Sequence, residues 1–230
     1  MSNDSPQNQN TQIIVIGGGS MIARKTLKSN REFDLIGFSR YSKIKEIKEY
    51  KIERYKNFNS LKKYLNQNKR TVLLFMEAFS NSKIIINKSS QDLLKDIKSN
   101  FLNFHEIVKG SLPYMLKKKW GRIIFCGSSR ALKTDIGIAG YSSGKYALLG
   151  YCKTLSKEYA RYGITSNYLS LGLFETSLYL NLNKKTKEKL LNNTDTRTVG
   201  DYDSIFNAIN FIIKSNYVTG AVIPVDGGFN

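Results

Sequence analysis

The sequence is short of the residues that carry extracellular and metal chemistry. Its 230 residues include one His, two Cys, three Pro and one Trp. Two cysteines cannot staple a small secreted scaffold, and there is no C-x-x-C pair for zinc. The lone His105 excludes His-based catalytic triads and most His metal sites, so no metal is expected. Acidic residues are scarce too: 18 Asp+Glu stand against 36 Lys+Arg, a formal charge of +18. No apolar run approaches the roughly 18 residues that a membrane helix needs, so no membrane partner is expected. The opening MSNDSPQNQN is polar and nearly uncharged, unlike a signal peptide or a basic targeting helix. The expected compartment is a reducing cytoplasm.

What remains suits a folded domain. With 41% hydrophobic and 12% aromatic residues the chain is not wholly disordered, and at this length it buries roughly 70–75% of its unfolded surface. The positive charge has two readings. One is a compositional bias toward Lys and Asn; the other is an anionic partner such as a phosphate-bearing cofactor, an acidic carrier protein or nucleic acid. The lysines are dispersed rather than banked with aromatics on one element, which argues against nucleic acid.

Along the chain, residues 1–11 read as a disordered tail and 12–230 as one domain. Apolar strands are expected at Gln12–Ile16, Phe33–Phe38, Ile52–Tyr55, Thr71–Met76, Arg122–Cys126, Ile164–Leu169 and Ala221–Val225. Helices are expected at Met21–Ser29, Ile44–Tyr50, Ser60–Asn68, Ser90–Lys117, Tyr141–Tyr162 and Ile205–Ile213, with Gly163 closing the fifth. Strands that alternate with helices and are apolar on both faces indicate an α/β fold, a doubly wound parallel sheet with helices on both faces.

Ligands of such sheets bind beyond the carboxyl ends of the strands. Gly17-Gly18-Gly19-Ser20 lies there, where main-chain N–H groups and a helix N-terminus can hold a pyrophosphate, although glycines also make an ordinary turn. Tyr141 and Lys145 are four apart and share one helix face. An ammonium beside a phenol favours the phenolate, which would lower the Tyr141 pKa and suit it to proton donation near neutral pH. In a Lys-rich chain that spacing also arises by chance. Ser128 ends the strand 13 residues earlier and could equally be a cap. Asn100 lies in the preceding long helix and could be a surface amide.

Taken together, GRIIFCGS at 121–128, YSSGKYALLG at 141–150, RYGITSN at 161–167 and VTGAVIPVDGG at 218–228 resemble the short-chain dehydrogenase/reductase family. In texture they are most similar to its 3-oxoacyl-(acyl-carrier-protein) reductases. The resemblance implies a Rossmann-type fold over about residues 12–230 and an NAD(P)H-dependent reduction of a ketone. It implies a catalytic tetrad of Asn100, Ser128, Tyr141 and Lys145. Ser128 would bond the carbonyl and Tyr141 protonate it. Lys145 would tune Tyr141 and hold the nicotinamide ribose, and Asn100 would hold a water in the proton path. Gly172 and Thr176 match a segment that contacts the nicotinamide, although Thr176 could simply cap a helix. Ser39-Arg40 would favour the 2′-phosphate of NADPH over the 2′-hydroxyl of NADH. The substrate would be a small or carrier- or coenzyme A-bound carbonyl compound, with its pocket over Phe174–Asn193 as a mobile lid. A homo-oligomer, dimer or tetramer, is implied as well.

The cofactor segments depart from the family. Where it has T-G-x-x-x-G-x-G, this chain has Ile16-Gly17-Gly18-Gly19-Ser20-Met21-Ile22-Ala23, with Met21 in place of a glycine. Gly17, Gly19, Ser20, Met21 and Ile22 remain the expected cofactor residues. Met-Ile-Ala resembles the Ser-Ile-Ala of enoyl reductases, but those space Tyr and Lys seven apart. The N-N-A-G segment is replaced by Phe75-Met76-Glu77-Ala78-Phe79, in which Glu77 either puts a carboxylate near the cofactor, unexpected beside a dinucleotide, or simply turns to solvent. These departures leave an alternative: a binding or regulatory protein of the same fold with weakened cofactor binding. Cys126 and Cys152 read as core residues, and His105 as structural with no visible partner. Lys117–Lys119 reads as a solvated helix end or as a docking patch for an acidic carrier.

Overall fold

A computed structural model describes residues 10–40, 50–65 and 68–229. The expected tail (its residues 1–9) and nearly all of the helix expected at 44–50 lie outside the described residues. Seven strands form one parallel sheet in the order β3-β2-β1-β4-β5-β6-β7. They are β1 (Thr11–Ile16), β2 (Asp34–Ser39), β3 (Lys51–Arg54), β4 (Arg70–Phe75), β5 (Gly121–Cys126), β6 (Ile164–Leu171) and β7 (Val222–Val225). The helices are α1 (Met21–Leu27), α2 (Asn59–Lys62), α3 (Ser90–Ile97), α4 (Asn103–Lys118), α5 (Ser129–Lys133), α6 (Ala139–Tyr159), α7 (Ser177–Leu180), α8 (Lys184–Asn192) and α9 (Tyr202–Lys214).

Period-two alternation along the strands sends side chains to two cores. Ile14, Ile16, Leu73, Phe75, Ile123 and Phe125 pack with Phe104 and Val108 of α4 and Leu148 and Cys152 of α6. Ile13, Val15, Val72, Leu74 and Ile124 face the other way, onto Ala23 and Leu27 of α1 and Ile205, Ile209 and Ile212 of α9. Both cysteines are buried and free, as expected. His105 does have a partner: its Nδ1 lies 3.1 Å from the Tyr151 hydroxyl across the α4–α6 contact.

Three expectations are corrected. Thr11 is buried at the start of β1 instead of ending a tail. The helix expected at 60–68 is the single turn α2. The long helix expected from Ser90 to Lys117 is broken by a π turn at Lys98–Leu102, which sets Asn100 inward at 0% exposure. Such a bulge arises where tertiary bonds compete with the helix ladder, and the Asn100 amide makes two of them, both to the Phe79 main chain. Gly163 adopts φ +76°, and a Cβ there would meet the Lys119 carbonyl oxygen at 2.2 Å, so a glycine ends the run out of α6. Among the described residues no helix is long and apolar enough to cross a membrane, and no group of three or more His, Cys, Asp or Glu could hold a metal ion.

Candidate functional site

The β1–α1 turn sits against both of its strand neighbours. Gly17 has φ +87°, and a Cβ on it would lie 2.6 Å from the Glu77 main-chain nitrogen. A Cβ on Gly18 would meet the Gly37 Cα at 2.8 Å, and one on Gly19 the Ser39 Oγ at 3.3 Å. The glycines are therefore demanded by packing of the turn onto β2 and the post-β4 segment, whatever they bind. Ser20 caps α1 by accepting from the Ala23 N–H, and Met21 and Ile22 open that helix, half-buried.

At the β5–α6 end, Ser128, Tyr141 and Lys145 are brought together. Ser128 leaves β5 in extended conformation and caps α5, accepting from the Ala131 N–H at 3.3 Å. Its side chain also lies beside the Tyr141 phenol, where it acts to lower the phenol's pKa. The cap and the contact with Tyr141 are thus both made. Gly127 before it is needed because a Cβ there would overlap the Tyr168 ring. One turn along α6, Lys145 is 1% exposed, donates to the Cys126 carbonyl at 3.0 Å and to the Glu77 carbonyl at 3.5 Å, and lies 5.8 Å from the Tyr141 ring centre.

The electrostatics correct one expectation. The Tyr141 pKa is raised rather than lowered: burial outweighs the opposing effects of Ser128 and of the nearby Arg130 charge. Lys145 makes its bonds to carbonyls instead of to the phenol. Burial pulls its own pKa down to about 8, against the Cys126 and Glu77 groups, which raise it. Burial pushes the Cys126 thiol up to about 12, so it carries no thiolate chemistry.

Asn100 is committed to main chain. Its amide donates to the Phe79 carbonyl at 2.6 Å and the Asp96 carbonyl at 2.9 Å, and accepts from the Phe79 N–H at 3.2 Å. It ties the post-β4 loop to the π turn, and Gly144 lets α6 approach it, since a Cβ there would lie 2.8 Å from the Asn100 Cβ. Gly172 donates to the Val225 carbonyl at 3.0 Å, and a Cβ on it would meet the Asp226 Cα at 2.5 Å. Thr176 caps α7 by accepting from the Tyr179 N–H. The expected lid segment forms α7 and α8, with Tyr179 buried and Leu180 exposed. A pocket of about 610 Å³ lies elsewhere, lined by Ile84, Ile85, Ile136 and Tyr146 on a different face of α6 from Tyr141.

The β2–β4 end holds what sequence reasoning missed. Glu77 does not turn to solvent; it is 6% exposed. Its Oε1 accepts from Arg40 Nε at 2.7 Å and its Oε2 from the Tyr55 hydroxyl at 2.8 Å. Arg40 also reaches the Ser99 carbonyl at 3.4 Å. Tyr50 donates to the Gly18 carbonyl at 2.7 Å. Arg40, Tyr55 and Glu77 each follow within two residues of the end of β2, β3 or β4. Parallel register therefore brings them to one edge, a signal that strand order would have revealed.

A nicotinamide dinucleotide fits this crevice at one end and meets a closed contact at the other. The buried cation beside a phenol and a serine hydroxyl suits a ribose and a carbonyl substrate. The tight Gly17 turn suits close approach of phosphates. Arg40 suits an adenosine phosphate but is already bonded to Glu77.

Comparison with known proteins finds a family model and several relatives. Residues 61–230 match the family model described as enoyl-(acyl carrier protein) reductase. The chain is 30% identical over 227 residues to the 3-oxoacyl-(acyl-carrier-protein) reductase FabG of Buchnera aphidicola subsp. Acyrthosiphon pisum, covering 92% of each. It is 32% identical over 167 residues to FabG of Buchnera aphidicola subsp. Baizongia pistaciae, 72% of this chain and 68% of that one. It is 28% identical over 171 residues to the human 3-oxoacyl-(acyl-carrier-protein) reductase, 74% of this chain and 70% of the relative.

Proposed function

The chain belongs to the short-chain dehydrogenase/reductase family, and from that premise we propose that it reduces a ketone, in the first instance a 3-oxoacyl thioester, to a secondary alcohol at the expense of NADPH. The observation that carries this reading is the buried Lys145 ammonium 5.8 Å from the Tyr141 ring centre and held on the Cys126 carbonyl, with the Ser128 side chain beside the phenol. The cofactor, when bound, supplies the hydride. Tyr141, kept neutral by burial, holds the proton for the carbonyl oxygen at its phenolic oxygen. Ser128 donates a hydrogen bond to the same oxygen. Lys145 supports the developing tyrosinate with its charge and offers N–H donors to the ribose. Asn100 positions the loop and π turn behind them. Gly17, Gly19, Ser20, Met21 and Ile22 would line the phosphates, Ser39 and Arg40 the adenosine 2′-phosphate, and Gly172 and Thr176 the nicotinamide.

The relatives' names support ketone reduction over the enoyl reduction in the family model's description, as does the four-residue spacing of Tyr141 and Lys145. Exposed Leu94, Leu102 and Tyr146, on the neighbouring α3, π turn and α6, support association with a second copy of the chain. The test is NADPH oxidation on addition of acetoacetyl-coenzyme A, alongside fluorescence titration with NADPH. No saturable NADPH signal and no oxidation would end the reading.

A further inference from the structure

In the sheet order, β1 lies between β2 and β4. Arg40 follows β2 and Glu77 follows β4, so their ion pair runs across the carboxyl end of β1 and over the Gly17 turn, which touches Glu77. Arg40 reaches further still, to the Ser99 carbonyl in the π turn. The guanidinium thus lies over the crevice instead of standing at its β2 rim. A dinucleotide laid along the ends of β2, β1 and β4, where doubly wound sheets bind them, meets this side chain first.

We infer that Glu77 is a specificity-determining residue: it holds Arg40 as a latch across the cofactor crevice, and an adenosine 2′-phosphate is the anion that releases the latch. The inference rests on the dinucleotide reading above. Opening the latch takes Arg40 from a carboxylate that is 7% exposed and leaves Glu77 with the Tyr55 hydroxyl as its hydrogen-bond partner and only the more distant Lys145 charge to offset it. Uncompensated buried charge is costly. A 2′-phosphate offers the guanidinium a bidentate partner in exchange. A 2′-hydroxyl offers it no charge, so the same opening goes uncompensated. Glu77 therefore raises the threshold for every dinucleotide by the same opening cost, which only a ligand carrying the phosphate offsets. Once Arg40 has turned, Glu77 also repels the incoming dianion, which limits how tightly even NADPH is held.

Glu77→Gln is nearly isosteric. It keeps an acceptor for Arg40 and a group for Tyr55, and removes only the charge. The probes are adenosine 2′,5′-bisphosphate and 5′-AMP, measured by titration calorimetry, so that the readout is independent of turnover. The wild type is expected to favour the bisphosphate. Glu77→Gln is expected to bind it about tenfold tighter, in the range of ordinary coupling between sites, and to gain less for 5′-AMP. Arg40→Gln, on the exposed side of the pair, is expected to bind the two probes alike, which keeps the test decisive if Glu77→Gln fails to fold. Weaker or unchanged bisphosphate binding in Glu77→Gln overturns the latch, as does retained discrimination in Arg40→Gln. If the wild type binds NADPH in either case, the oxidoreductase reading stands without the latch. A wild type that binds neither NADPH nor the bisphosphate overturns both.

Discussion

At the β5–α6 end of the crevice, polar side chains are held by main chain: Asn100 by Phe79 and Asp96, Lys145 by the Cys126 carbonyl, Ser128 by the Ala131 N–H. At the β2–β4 end the holding is done by opposite charge between side chains that reach across the gap, Arg40 to Glu77. Main-chain anchors stay put when a ligand arrives, because strands and helices carry them. An ion pair between two strand ends can be exchanged for another ion pair. The first arrangement suits groups that must be preorganised around a reacting carbonyl, and the second suits a group that must yield to a ligand. The chain keeps the family's residues at the first end and departs from them at the second. Chemistry constrains a proton donor more tightly than it constrains the counter-ion of an arginine.

The comparison breaks most sharply at Tyr141. Tyr141→Phe removes one oxygen and should lower kcat for ketone reduction by about 10²–10⁴-fold, the usual worth of general acid catalysis. NADPH affinity should stay within a factor of about two, since the phenol faces substrate in the proposed roles. Steady-state rates and a fluorescence titration check both halves. A near wild-type kcat would remove Tyr141 from the chemistry and leave the β5–α6 end a structural cluster.

Next is rigidity. The β5–α6 end is backed by a second ion pair, Lys88 to Asp96 at 2.7 Å, both side chains 3% exposed or less. Asp96 also accepts from the Asn81 N–H and sits where a Cβ on Gly140 would collide with it, so the pair joins the post-β4 loop to α3 and α6. Lys88→Met leaves a buried carboxylate alone and should cost about 3–5 kcal/mol of stability. Glu77→Gln, which keeps its hydrogen-bonding shape, should cost less than about 1.5 kcal/mol. Urea denaturation of the two variants checks the order. Equal losses would mean that the two ends do not differ in the way described.

Much of this architecture was legible beforehand, for local reasons. Apolar runs such as Ile13–Ile16 and Ile123–Phe125 are buried on both faces and read as parallel strands. Ser128, Tyr141 and Lys145 lie within 18 residues, close enough for spacing to act as geometry. What stayed hidden depends on partners far away in sequence. The partner of Glu77 stayed hidden because Arg40 is 37 residues away, and His105 looked partnerless because Tyr151 is 46 away. The π turn at Lys98–Leu102 is set by bonds to Phe79 and leaves no mark on the periodicity. The Tyr141 pKa was assigned the wrong direction because spacing reports the nearby ammonium and says nothing of burial.

The smallest expected effect sharpens the same contrast through pH. Lys145 donates to the Cys126 and Glu77 carbonyls and lies near the Tyr141 ring, and its pKa falls to about 8 because burial outweighs the Cys126 thiol and the Glu77 carboxylate, which raise it. The proposed role needs the ammonium, so kcat/KM for NADPH should be near its plateau at neutral pH, half of it near pH 8, and falling about tenfold per unit beyond that. Tyr141 does not produce this limb, since its own pKa is raised above 10. Stability responds with the opposite sign. Below pH 8 Lys145 is charged in both the folded and the unfolded chain, and its burial weighs against the fold. As pH rises from about 8 toward 10.5 the folded chain gives up the proton first, the unfolded chain binds more protons, and the Lys145 contribution shifts toward the folded state. Activity falling while this contribution rises is a signature that general alkaline unfolding cannot imitate. It is checked by running the rate profile beside urea denaturation for wild type and Lys145→Met, in which the stability term should vanish. A rate profile flat to well above pH 9 would mean that Lys145 is not the titrating group and that its charge is not needed for NADPH.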